Sequence, residues 1–364
     1  LLLKFDSIWQ LHLPSCIIFS KISINFTLLH LYPIPSSSFL SYLLPEMVPL
    51  VLLLCFAISA QLAPVSFSQL VVGFYDDTCP QAESIVSNTI TAAANSNPRV
   101  PAQLLRLHFH DCFVGGCDAS ILINGGPNSE INADAHQGVG GSAIIENAKS
   151  QLEAVCPGVV SCSDIIALAA RDAIDFSNGP RYEVPTGRRD GTVSDLTMAA
   201  NMPDVDDTAA TLKDKFRTNG FSERELVLLS ASHTIGTTAC FFMTKRLFSF
   251  SAQSSSDPSI NPAFIAELQA TCPLNGDINV RLPMDRGSEL TFDRSILQNI
   301  RNGFAVLASD ARLYEDPATR GIVDFYLDGD AFEADYVAAI VKLGTLGALT
   351  GDQGQVRRVC SAVN

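Results

Sequence analysis

Ten cysteines occur in this 364-residue chain, and eight of them fall between residues 79 and 360. Cys79, Cys112, Cys117, Cys156, Cys162, Cys240, Cys272 and Cys360 form an even set. In an exported protein such a set argues for four disulfides, which tie distant stretches together and leave few folds open. Spacing alone does not choose among the roughly 105 pairings that eight cysteines allow.

The other two, Cys16 and Cys55, lie in a stretch that reads as foreign to the working protein. Residues 1–46 mix apolar runs with Pro and Ser in no clear period, and the text changes at Met47. The run VPLVLLLCFAISA has the length of a signal-peptide centre and is too short for a membrane span. Ser66 and Ser68 flank Phe67 just before Gln69, in the manner of a signal-peptidase site. The expected organisation is an upstream segment over 1–46, a signal peptide over 47–68 and one domain over 69–364. Gln69 would then cyclise to pyroglutamate. The product is expected outside the cell, and the short tail after Cys360 favours the apoplast over the vacuole. Residues 1–68 hold Lys4, Lys21, Asp6 and Glu46, so their removal leaves the formal charge at −14. That acidity disfavours nucleic acid and anionic membrane as partners.

The domain reads as mainly helical. SAIIENAKSQLEAV places Ile145, Ala148, Leu152 and Val155 on one face, and SCSDIIALAARDAI follows after a Pro-Gly break. QAESIVSNTITAAAN, DTAATLKDKFRTNG, NPAFIAELQATC, FDRSILQNIRNGFAVL and DAFEADYVAAIVKLGTL are further helices. The stretch ERELVLLSASHTIGTTACFFMTKRLFSF is expected to be helical with a break near Ser232. Pro, Gly, Asn and Asp cluster between these segments, as turns require. Alternating strand patterns are few and short. The expectation is an all-α domain large enough for two lobes.

Within it, RLHFHDC carries the densest chemistry. Arg106 and His110 are four residues apart, so on a helix their side chains share a face. A cation beside an imidazole suits the ring to take a proton from one atom while charge builds on its neighbour. The following run, D-C-F-V-G-G-C-D-A-S, offers carboxylates, a hydroxyl and backbone carbonyls, all hard oxygen ligands, in a tight loop. His233, far away in ASHTIG, is followed at once by Thr234. Two such histidines fit a large cofactor between lobes, and haem suits the apolar helical context better than zinc. His108, with no partner of this kind, reads as structural.

RLHFHDCFVGGCDASIL, VSCSDIIALAARDA, VPTGRRDG, LLSASHTIG and the eight-cysteine layout resemble a secreted plant haem peroxidase of class III, over essentially all of residues 69–364. The resemblance implies a two-lobed helical fold with one haem b between the lobes and two calcium ions. It also implies the disulfides Cys79–Cys156, Cys112–Cys117, Cys162–Cys360 and Cys240–Cys272. The implied reaction reduces hydrogen peroxide to water and oxidises small phenolic or other aromatic donors in one-electron steps through a high-valent haem state. The family's habit is a monomer.

Residue by residue, the resemblance makes His110 the distal acid–base and Arg106 the group that stabilises charge as the O–O bond breaks. Phe109 is the distal aromatic that limits access, and Arg99 a basic residue near a haem propionate. His233 is the haem's axial ligand, and Asp310 in LASDARL accepts its other ring N–H. Asp111, Val114, Gly116, Asp118 and Ser120 would hold the distal calcium, with Glu130 reaching it through water. Thr234, Asp285, Ser288, Thr291 and Asp293 would hold the proximal one, Ser288 standing where Thr is usual. Pro203 would hold the donor through its carbonyl, although Val205 replaces a second proline common there. Two further departures stand out. The asparagine that accepts the distal histidine's N–H is not identifiable in ADAHQGVGGSA, so His136 or a backbone group must replace it. Tyr182 occupies the place of a common tryptophan, and the only tryptophan of the chain, Trp9, lies in the leader.

Overall fold

The computed structural model describes residues 70–364, so the expected upstream segment, signal peptide and Gln69 lie outside the described residues. The first lobe is built from α1 (Ala82–Ser96), α2 (Val100–Phe113), α3 (Ser142–Val155) and α4 (Cys162–Phe176). Pro101 sits in the first turn of α2, where a missing N–H costs nothing. Ser161 caps α4 by accepting from the Asp164 N–H. α4 is buried nearly all round, as its run of Ile, Leu and Ala demands of a central helix. Ile90, Leu104, Leu107, Ile145, Leu152 and Ile165 fill the core between these four helices.

The second lobe gathers α5 (Ala209–Thr218), α6 (Glu223–Ser230), α9 (Ser295–Arg301), α10 (Ala308–Glu315), α11 (Pro317–Asp328) and α12 (Phe332–Leu343). Phe216, Leu226, Ile296, Val323, Tyr326 and Tyr336 form its core. α2 serves both lobes: Leu104 and Leu107 face the first, Leu105 and Phe113 the second. Its remaining stripe, through residues 106 and 110, is left for the space between them. A smaller cluster packs α7 (Thr244–Phe248) and α8 (Pro262–Thr271) around Met243, Phe264 and Leu282.

All four disulfides pair as the resemblance implied: Cys79–Cys156, Cys112–Cys117, Cys162–Cys360 and Cys240–Cys272. The fold is all-α, and among the described residues its one sheet is a two-stranded antiparallel ladder of β1 (Thr237–Ala239) and β2 (Arg281–Pro283). Two expectations need correction. The segment 223–250 is helical only at its ends: after α6 comes a 3-10 turn over Ala231–Thr234, then β1, then α7. Gly236, at φ +105, turns the chain there, and a Cβ on it would lie 2.6 Å from Ala102 Cβ on α2. The second correction is that α10 and α11, absent from the expected helices, are both helical. Pro317 opens α11 and Asp316 caps it, accepting from the Ala318 and Thr319 N–H groups. No helix among the described residues is long and apolar enough to cross a membrane.

Candidate active site

α2 presents Arg106 and His110 together, and Arg106 Nε donates to His110 Nε2 at 3.1 Å. A second guanidinium nitrogen of Arg106 donates to the Gln137 carbonyl at 3.2 Å, which steers the side chain across the ring. Burial, reinforced by Arg106, His136 and His233, pushes the His110 imidazole well below its ordinary pKa. The ring is therefore neutral, and its Nε2 lone pair accepts from Arg106. Desolvation in the cleft, with Arg281 nearby, brings Arg106 down to about 10, still fully charged at neutral pH. Phe109 stacks on Phe113 with centroids 4.9 Å apart and meets His110 edge-on at 6.1 Å. His108 points elsewhere: buried beside Arg188, it is driven down to about 3, first by burial and then by that charge. It packs as a structural residue.

On the other side, the 3-10 turn after α6 carries His233. Its Nδ1 lies 2.9 and 3.1 Å from the two oxygens of Asp310, at the start of α10. Asp310 is only 1 % exposed, whereas the His233 side chain is 36 % exposed and, among the described residues, its Nε2 has no hydrogen-bond partner. Burial works against charge on this ring, but the Asp310 carboxylate outweighs it and raises the His233 pKa. One nitrogen is thus fixed by a carboxylate while the other faces open space, the arrangement a metal-ligating histidine needs.

Immediately after His110, Asp111 is fully buried, and among the described residues neither of its oxygens has a partner at hydrogen-bond geometry. Burial first, then Asp118 and Glu130, push its carboxyl well above the usual range, offset only in part by the Ala119 amide and Arg357. The buried Ser120 hydroxyl is also without a partner among the described residues. Asp118 accepts from the Ser120 N–H at 2.9 Å and backs onto Gly191, where a Cβ would lie 2.0 Å from its Oδ2. The carbonyls of Val114 and Gly116 accept no hydrogen bond among the described residues. So many buried, undonated oxygens in one loop are unstable without a cation. Among the described residues no three His, Cys, Asp or Glu side chains converge as metal ligands, so such a cation would draw on hydroxyl and backbone oxygens as well.

A second oxygen cluster follows His233. Thr234 Oγ lies 2.9 Å from Asp285 and 3.3 Å from Asp293, and Ser288 donates to Asp293 at 2.6 Å. Thr234 also lies 3.4 Å from the Thr291 carbonyl. Ser295 and Asn299 complete the contacts of the buried Asp285, each at 2.5 Å. Ser288 does keep the hydroxyl that its position calls for.

A peroxidase family model matches residues 86–329. The chain belongs to the peroxidase family. It is 61% identical over 306 residues to Peroxidase 43 of Arabidopsis thaliana, covering 82% of this chain and 94% of that protein. Peroxidase 13 of Arabidopsis thaliana is 52% identical over 306 residues, with the same coverages. Peroxidase N1 of Nicotiana tabacum is 46% identical over 298 residues, covering 80% of this chain and 90% of that protein. Within the family the chain is a plant class III peroxidase, an enzyme whose cofactor is haem.

The residues fit that cofactor. His233, with Nδ1 taken by Asp310 and Nε2 free, would hold the peroxidase iron, and His110 with Arg106 faces the same cleft from α2. Arg99 lies just before the first turn of α2 and is exposed. Pro203 is half-buried after the 3-10 turn over Leu196–Asn201, and its carbonyl accepts no hydrogen bond among the described residues. Sequence reasoning missed one network altogether. Asp164 of α4, fully buried, accepts from the Tyr75 hydroxyl at 2.6 Å, the Gly187 N–H at 2.7 Å and the Arg188 guanidinium at 2.8 Å. Its signal was present in two charged motifs, SCSDII and TGRRDG, whose charges the chemistry does not use.

Proposed function

We propose that this class III peroxidase works outside the cell, reducing hydrogen peroxide while it oxidises small phenolic or similar aromatic donors one electron at a time. Haem, when bound, would supply the redox chemistry that couples two-electron reduction of peroxide to one-electron oxidation of two donor molecules. The protein's part is proton handling and charge placement. His110 Nε2 would take the proton from one peroxide oxygen and return it to the other, which leaves as water. Acid–base help of this kind is worth about 10² to 10⁴ in rate. Arg106, held over the ring by its contacts with His110 Nε2 and Gln137, meets the negative charge that grows on the departing oxygen. Its charge also keeps His110 neutral and therefore basic toward peroxide.

On the opposite face His233 would bind the iron through Nε2. Asp310 fixes its tautomer and adds electron density to the ring, which favours uneven cleavage of the O–O bond. Two calcium ions would occupy the oxygen clusters at Asp111–Ser120 and at Thr234–Asp293. Each cluster directly follows a working histidine, so loss of either ion would let that imidazole drift. Phe109 restricts the approach of donors to the cleft, and Pro203 offers them a free carbonyl. The reading includes the processing expected from the sequence, with cleavage before Gln69 and a monomeric product.

The observation that carries this assignment is the pair of histidines with opposite dress, His110 against a guanidinium and His233 against a carboxylate. The test is peroxide consumption by holoprotein of matched haem content, wild type against H110A. A fall of about 10² to 10⁴ is expected. Unchanged consumption would remove His110 from the reaction. A panel of phenolic, anilinic and non-aromatic donors, run on the wild type, tests the substrate class, and a preference for non-aromatic donors would overturn it.

A further inference from the structure

The ring of His110 has a second neighbour. Its Nδ1 lies 2.8 Å from Nδ1 of His136, which is 1 % exposed in the 3-10 turn over Asp134–His136. His136 Nε2 in turn lies 3.3 Å from Oε1 of Glu130, itself fully buried. That approach is close but not aligned as a direct hydrogen bond. Among the described residues, His136 Nε2 and both Glu130 oxygens have no hydrogen-bond partner. Three buried polar atoms without partners therefore face one another, and a small ring rotation or one bridging water joins them.

The polarity of this chain can be worked out from its one unambiguous member. A guanidinium only donates, so the Arg106 contact makes His110 Nε2 an acceptor without a proton. A neutral His110 then carries its proton on Nδ1 and donates it to His136 Nδ1. His136 must accept there, so its own proton sits on Nε2, the atom turned to the Glu130 carboxylate. Every donor meets an acceptor, and reversing any one ring breaks the sequence. The opposite tautomer of His110 would set an N–H against the Arg106 N–H.

We infer that His136 is a positioning residue of this enzyme, which with Glu130 locks His110 in the tautomer whose Nε2 carries no proton and can take one from peroxide. The inference rests on the assignment of His110 as the distal base. Where the resemblance implied an asparagine, this chain presents the imidazole of His136 to do the positioning. The ring also stands edge-on to His110, at 5.0 Å between centroids and 61° between planes, so it limits tilt as well as tautomer.

The test compares H136L, which keeps bulk but cannot accept, with H136N, whose amide oxygen can. Holoprotein of each is matched for haem content and Soret position and supplied with excess calcium. Two readouts are taken: kcat/KM for peroxide, and the Kd of the ferric form for hydrogen cyanide, which leaves its proton on the distal base. H136L is expected to lose about 10- to 100-fold in both, the usual cost of removing a partner that orients a site histidine, with KM for the donor unmoved. H136N is expected to recover most of each loss. Wild-type values for H136L would overturn the inference. So would H136N failing as badly as H136L, since that would mark a packing role. Failure of the underlying assignment reads differently: wild-type protein would then bind cyanide no more weakly after H110A.

Discussion

Asp164→Ala separates the groups that hold this fold from those that act on peroxide. The Asp164 carboxylate is fully buried and accepts the Tyr75 hydroxyl, the Gly187 and Arg188 backbone N–H groups and the Arg188 guanidinium. Its removal leaves Arg188, 2 % exposed, with only the Pro185 and Gly344 carbonyls, each at 2.7 Å. Stripping one partner from a buried ion pair costs about 3 to 5 kcal/mol, because the other charge stays behind uncompensated. For a domain near 300 residues each kcal/mol moves the midpoint by about 1.5 to 2 °C, so a drop of about 5 to 10 °C is expected. Thermal unfolding of calcium-replete holoprotein, followed by circular dichroism at several scan rates, measures it. D164N, which keeps the shape and some acceptor capacity, should fall in between. Activity per haem at 25 °C should stay near wild type in both, since no atom of Asp164 faces the cleft. A drop of less than about 2 °C in D164A would refute the reasoning, by showing that water or relaxation satisfies Arg188.

Chelation should lower activity and perturb the Soret band together, because Asp111 follows His110 and Thr234 follows His233. Full activity after calcium removal verified by metal analysis would disprove that coupling. Asp310→Asn should cost about 10- to 100-fold in the peroxide rate constant and shift the Soret band, since an amide cannot supply the charge that His233 leans on; stopped-flow absorbance measures it. Arg106→Leu should slow the peroxide reaction by about 10² to 10³ while haem content stays unchanged. Finally, secreted protein should show no tryptophan emission, because Trp9 would be lost with the leader. Emission at tryptophan wavelengths from pure protein would place the cut elsewhere.

Local spacing in the sequence was enough for the stripe shared by Arg106 and His110, for α1, α3, α4 and α12 in outline, and for the oxygen-rich loop from Asp111 to Ser120. These depend on neighbours one helical turn or one loop apart, and the chain displays them directly. At β1 a glycine turn overrode the apparent helical period, and α11, opened by a capped proline, was not among the expected helices. The four disulfide pairings and the role of Asp310 came through resemblance, since neither follows from spacing.

Packing decided the rest. His233 and Asp310 are separated by 77 residues, and His110 and His136 by 26. No periodicity links such positions; they meet because two cores dock on opposite faces of α2 and bring the loops between helices into register. The same docking determines which carboxylates are left dry, and so which of this acidic chain's 38 Asp and Glu residues hold a cation or orient a ring rather than face water. A sequence specifies which groups are present and their local order. Burial and long-range approach assign their charge state and their partners, and both exist only in the folded molecule.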